Sequence, residues 1–174
     1  MRESKNEVKF LEIIYKWIEN KRMELLYRGS RDGSEGKIFH KKCDNKGPTL
    51  CLYRNEKGHI FGGYASISWT SDGNVHEAKN SFIFTLNNVH GTEPTKFPNK
   101  DNNNVYHNSS RGPNFGYNND IRVFENYLNQ NCVIEFPKNY DDILNKGKSI
   151  FTGDLNNNNQ NVKVNEIEVF RIYN

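Results

Sequence analysis

Thr49-Leu50-Cys51-Leu52-Tyr53-Arg54-Asn55-Glu56-Lys57-Gly58-His59-Ile60-Phe61-Gly62-Gly63-Tyr64-Ala65-Ser66-Ile67 reads as two brief apolar runs around a polar loop that carries a glycine. Residues 49–53 and 60–67 are short and bounded by turn formers, the pattern of strands rather than helices. Asn55 to His59 has the composition of a hairpin loop. Gly62-Gly63 would weaken a strand unless a bulge or a close contact required it, so tight packing is expected there. Further along, Ser81–Leu86, Ile121–Phe124, Val133–Phe136 and Ile167–Ile172 repeat the pattern, each bounded by Gly, Pro, Asn or Asp. The polar connections 87–120 and 137–149 are long, and connections of that length usually carry function or disorder.

Towards the N-terminus the period changes. Val8, Leu11, Ile14, Tyr15 and Ile18 recur at spacings of three and four, which predicts a helix over 5–20 with these residues on its buried face. Met23 to Arg28 reads as a strand, and Gly29-Ser30-Arg31-Asp32-Gly33 as the turn that ends it. Ser34 is positioned to cap a second helix through Lys42, with Ile38, Phe39 and Cys43 on its inner side. Helices followed by many strands indicate an α+β domain, mainly β, built on antiparallel sheets. The expected division is an N-terminal helix over 1–22 packing on a domain over 23–174.

Composition narrows the function classes. The chain of 174 residues has a mean hydropathy of −0.89 and no apolar run near the ~18–20 residues that span a membrane, and its charged first residues lack a secretory core. The net charge of +3 is small and dispersed, with Lys41-Lys42 and Lys21-Arg22 set among acids, so nucleic acid is not an expected partner. Three cysteines, Cys43, Cys51 and Cys132, are an odd number without a CxxC pair, which fits reduced thiols in the cytoplasm. Asparagine fills 28 positions, including the runs 102–104 and 156–159, and marks tolerant loops rather than a prion-like segment.

No GxSxG, GxGxxG or Walker loop is present. His40 and Cys43, three apart on a helix, could share one face as base and nucleophile, although a buried thiol beside a helical histidine is the commoner arrangement. No second Cys/His pair completes a zinc spacing, so neither metal nor cofactor is expected. Glu166 and Glu168 alternate around Ile167 and share one strand face, where they could act as acid and base or serve as a solvated strand face. His90, His107, Arg111 and Asp120 lie in the long middle connection, where functional and ordinary polar residues both gather. The 22 aromatics follow the strands without an RNA-binding pattern, which favours core packing.

Several strings in order resemble the TLDc domain: Leu25 to Gly33; Phe39 to Leu50; Phe61-Gly62-Gly63-Tyr64 with Trp69; and Ser81 to Asn87. Pro94-Thr95-Lys96, Gly112-Pro113-Asn114-Phe115-Gly116 with Asp120, and Glu166-Ile167-Glu168-Val169-Phe170 continue the resemblance, which covers about residues 24–172. It implies a sandwich of two antiparallel sheets flanked by short helices, in a chain that holds little beyond that domain. It also implies a part in resistance to oxidative stress through protein binding, with a subunit of the vacuolar proton-pumping ATPase as partner. The chain would then be cytoplasmic, reaching endomembranes through that partner. No catalytic mechanism is established for the family. Arg31, Asp32, His40, Lys96, Arg111, Asp120, Glu166 and Glu168 are the residues expected to meet the partner. The alternative is a peroxide-reactive or enzymatic domain using His40 and Cys43 or the Glu166/Glu168 pair. A weaker one is a stress-linked nucleic-acid-binding regulator.

Overall fold

The computed structural model describes residues 2–100 and 103–174. Its centre is a six-stranded antiparallel sheet in the order β1-β11-β2-β3-β5-β6. These strands are β1 (Arg22–Arg28), β2 (Thr49–Asn55), β3 (Ile60–Ala65), β5 (Phe82–Asn87), β6 (Thr95–Pro98) and β11 (Val164–Tyr173). The hairpin read from 49–67 forms β2 and β3, with Leu52 opposite Gly62 and Tyr53 opposite Phe61. Gly58 takes a φ of +79° in the turn between them, a conformation that suits a residue without Cβ. A Cβ on Gly63 would stand 2.5 Å from the Phe115 ring, so the close packing expected at the paired glycines is present.

Both faces of this sheet carry buried apolar clusters. Because side chains alternate along a strand, Cys51, Tyr53, Phe61, Ile83, Phe97, Ile167 and Val169 enter one buried cluster, while Leu50, Phe82, Phe84, Leu86 and Ile172 enter another. The first cluster is closed by a second layer made of short pieces. Strands β4 (Val75–Glu77), β7 (Asn103–Tyr106) and β8 (Asn114–Phe115) form one sheet, and β9 (Cys132–Val133) pairs with β10 (Asn161–Val162). Single bridges from Phe115 to Ile121 and from Arg122 to Val133 join the two into one antiparallel layer. The chain is therefore α+β and mainly β, a sandwich of antiparallel sheets. Aromatic edges fill the interior: Phe136 meets Phe97 and Phe151 at 5.1 Å, and Trp69 meets Phe115 at 5.8 Å.

Several sequence expectations change. The 87–120 segment is not one long connection, since it holds β6, β7 and β8, whose length of two to four residues is too short for period-two patterning to show. Ile121–Phe124 makes two bridges rather than a strand. The 29–33 turn contains a single helical turn, α2 (Gly29–Asp32), closed by Gly33 at φ +113°. Ser34 does not cap α3 (Gly36–Cys43); Glu35 stands at the cap without a side-chain bond, and the Ser34 hydroxyl reaches Asn126 Oδ1 at 2.6 Å. A fourth helical turn, α4 (Ser149–Thr152), lies before β10.

The first helix, α1, runs from Arg2 to Trp17 and lies over the second cluster. Ile14 and Ile18 are buried there, Phe10 and Trp17 pack beside them, and the Trp17 ring centroid is 5.5 Å from that of Phe84. Val8, Leu11 and Tyr15, expected on the buried face, are instead 57%, 46% and 38% exposed. The apolar arc of α1 is wider than the strip of sheet available to it, and packing selects the Phe10-Ile14-Trp17 side. Ile14→Ala should therefore cost about 2–5 kcal/mol in urea unfolding, whereas Leu11→Ala should stay within about 0.5 kcal/mol of the parent. Equal losses at the two positions would refute this assignment of faces.

Candidate functional site: a charged groove at the end of the central sheet

The outer face of the central sheet is polar where α1 does not cover it. Glu166 and Glu168 project there from β11 while Ile167 and Val169 enter the core, as their alternation requires. Glu168 lies across from Arg28 in the β1–β11 register, and the Arg28 guanidinium meets its carboxylate at 2.6 Å and 2.7 Å. Glu166 accepts the backbone N–H of Ser30 at 3.1 Å, which ties the first turn of α2 to β11. With Arg54 from β2 and the partly buried Leu52 and Ile60, these residues line a half-open groove of about 320 Å³. Arg54 is exposed and has no ion-pair partner among the described residues.

Behind the groove Asp32 anchors α2. Its carboxylate is nearly buried and accepts from the Arg28 backbone N–H at 3.0 Å, the Arg31 guanidinium at 2.7 Å and the Lys42 ammonium at 2.9 Å. The Arg31 bond first, with the Arg28 N–H and Lys42 adding to it, holds this carboxyl well below the usual carboxylate range. One acid thus joins β1, α2 and α3, and sets the backbone on which Ser30 and Arg28 face the glutamates.

The other sequence-derived residues stand elsewhere. His40 is buried in α3, and both its ring nitrogens face oxygen acceptors at 2.7 Å, Asp44 Oδ1 and the Asn108 carbonyl. Both ring nitrogens are thus engaged away from Cys43. Cys43 has no exposed surface, and burial pushes its thiol up, away from the thiolate that reacts with peroxide. Cys51 and Cys132 are also free and buried, the latter raised to about 12 by burial. Asp120 is fully buried; its oxygens take the backbone N–H groups of Lys138 and Asn139 at 2.7 and 2.8 Å, which holds the 137–140 loop. Lys96 on β6 stands 4.9 Å from the Phe82 ring, and Arg111 lies 6.0 Å from the Tyr106 ring; neither lines the groove. Glu166 and Glu168 therefore share the groove, Arg31 and Asp32 pair with each other behind it, and His40, Lys96, Arg111 and Asp120 stand elsewhere.

Sequence reading missed Arg28 and Arg54, because their placement depends on the register of β1 and β2 against β11. It also missed a cluster of Asp72, His76 and His107, for which the i, i+4 spacing of the first two was the available signal.

A carboxyl held below its ordinary pKa contributes stability that is complete above the unfolded value, near 4, and is lost as the pH falls through the folded value. Asp32→Asn should therefore lower the urea midpoint clearly at pH 7, and the gap to the parent should close as the pH falls below about 4. A gap that stays constant down to pH 2 would mean that the charge of Asp32 does not stabilise the fold.

Comparison with protein-family models matches the TLDc domain over residues 4–173, which takes in α1 as well as the sheets. Among curated proteins there is no match. A match across nearly the whole chain, in a sandwich whose central strands hold the Phe61-Gly62-Gly63-Tyr64 and Glu166-Ile167-Glu168 strings, places this chain in the TLDc domain family.

Proposed function

We propose that this oxidation-resistance-type domain acts by binding a protein, and that the groove formed by Arg28, Ser30, Arg54, Glu166 and Glu168 is where the partner docks. The partner that the family resemblance favours is a subunit of the vacuolar proton-pumping ATPase. Such binding would bring a cytoplasmic chain to endomembranes; among the described residues no helix is long and apolar enough to cross a membrane.

The observation that carries the reading is the charge arrangement of the groove. Acids and bases of both signs stand on rigid strands beside an apolar floor of Leu52 and Ile60, and Arg54 offers a guanidinium not yet engaged. Arginine is favoured at the energetic centres of interfaces because its planar fork binds carboxylates with two bonds at once. The groove is half-open, so its charges can meet the side chains of another folded surface. Peroxide chemistry finds no comparable support, since Cys43 is buried and both nitrogens of His40 are occupied.

Pump subunits from a vacuolar membrane extract should be retained by the immobilised chain. Arg54→Ala should remain folded by circular dichroism and weaken the complex by about 2 kcal/mol, roughly 30-fold in Kd. Failure of the intact, folded protein to retain any pump subunit would reject the named partner, and full binding by Arg54→Ala would reject the groove. In a separate assay, Cys43→Ser should leave peroxide consumption by the purified chain unchanged.

A further inference from the structure

On the smaller sheet, three side chains outside the groove converge. Strand β4 pairs with β7 so that Val75 lies opposite Tyr106 and His76 opposite Val105. His107, the residue after β7, thereby comes beside His76, with ring centroids 4.1 Å apart. Asp72 enters from the preceding turn, its Oδ2 standing 2.8 Å from His76 Nε2. One donor atom from each of the three residues lies within 4.8 Å of the other two. The turn is held in place: Gly73 donates its N–H to the His107 carbonyl and His107 returns its own to the Asn74 carbonyl, both at 2.9 Å.

His107 is fully buried, and its hydrogen position follows from its neighbours. The Thr70 backbone N–H donates to Nδ1 at 2.9 Å, so a neutral ring carries its hydrogen on Nε2, which has no hydrogen-bond partner among the described residues. The Thr70 hydroxyl stands 2.8 Å from the same Nδ1 and also meets the Asp72 carboxylate, so it bridges His107 and Asp72. An unprotonated imidazole is the form that takes a metal.

We propose that Asp72, His76 and His107 form a binding site for a divalent transition metal, with zinc the best match to two imidazoles and one carboxylate. Three protein donors leave a fourth tetrahedral position, which opens to solvent on the side of the exposed Asp72. Donors around zinc stand about 3.3 Å apart, closer than the present limit of 4.8 Å, so loading draws the partly exposed Asp72 and His76 in towards the buried His107. Nδ1 then exchanges its Thr70 bonds for the metal, and Nε2 keeps its hydrogen.

The test is a calorimetric titration of the full chain with zinc after chelator treatment, repeated with cobalt as a spectroscopic probe. One equivalent should bind at neutral pH, the ligand-field bands of cobalt should show nitrogen and oxygen donors, and zinc should raise Tm. His76→Ala and Asp72→Asn alter partly exposed side chains and should fold. Each should weaken zinc by more than about 100-fold, because changes outside the ligand shell alone already cost 10–100-fold, and each should abolish the rise in Tm. No uptake by the parent would overturn the proposal, as would equal uptake by both variants, which would put zinc on other histidines. Uptake of metal is read independently of partner binding, so neither result bears on the groove.

Discussion

The central sheet is apolar on both faces, and the architecture follows from covering it. Leu50, Phe82 and Phe84 on one side and Tyr53, Phe61 and Ile83 on the other are all buried. Removing apolar surface from water is worth about 25 cal/mol per Å², so neither face can stay open. One is closed by α1 and the other by the segmented layer of β4, β7, β8, β9 and β10. Those segments are too short to form a sheet by themselves. They hold because most of them lay buried side chains, such as Val105, Phe115, Cys132 and Val162, in the cluster on the central sheet. The fragmented layer is stable through what it packs against rather than through its own ladder.

Where the covering stops, function becomes possible. Helix α1 ends at Trp17 and leaves the far end of the outer face bare. Alternation along β11 puts two carboxylates there, and the neighbouring strands supply two guanidinium groups. Opposite charges across strands satisfy each other without being fully desolvated, so the surface stays charged and still holds a fixed shape. Asp32 adds rigidity from beneath by linking β1, α2 and α3. Buried polar groups elsewhere follow the same rule of local satisfaction, as Asp120 does for its loop and Trp69 does by donating its indole N–H to Thr49 at 2.7 Å.

The asparagine-rich stretches also have a structural role. Asn45, Asn119, Asn145 and Asn157 take positive φ, which asparagine tolerates better than other residues with a Cβ. In the 156–159 run, Asn157 accepts the Ser149 N–H at 2.7 Å at the start of α4 and donates to the Lys146 carbonyl at 3.0 Å, while Asp154 gathers the N–H groups of Asn156 and Asn159. These side chains replace the backbone partners that an irregular loop lacks. The 102–104 run lies partly outside the described residues.

Period-two alternation, turn chemistry and helical spacing determined the class of fold, the 49–67 hairpin, the strand face shared by Glu166 and Glu168, and the presence of α1, because each of these is local along the chain. Tertiary structure alone decided which arc of α1 is buried, that Arg28 and Arg54 face the glutamates, that Asp120 and His40 turn inward, and that His76 meets His107. Those outcomes depend on strand register and on which elements stack, and both are set by contacts between residues far apart in sequence. A strand of two residues such as β8 carries no period of its own, so it takes its place only when the sheet beside it already exists.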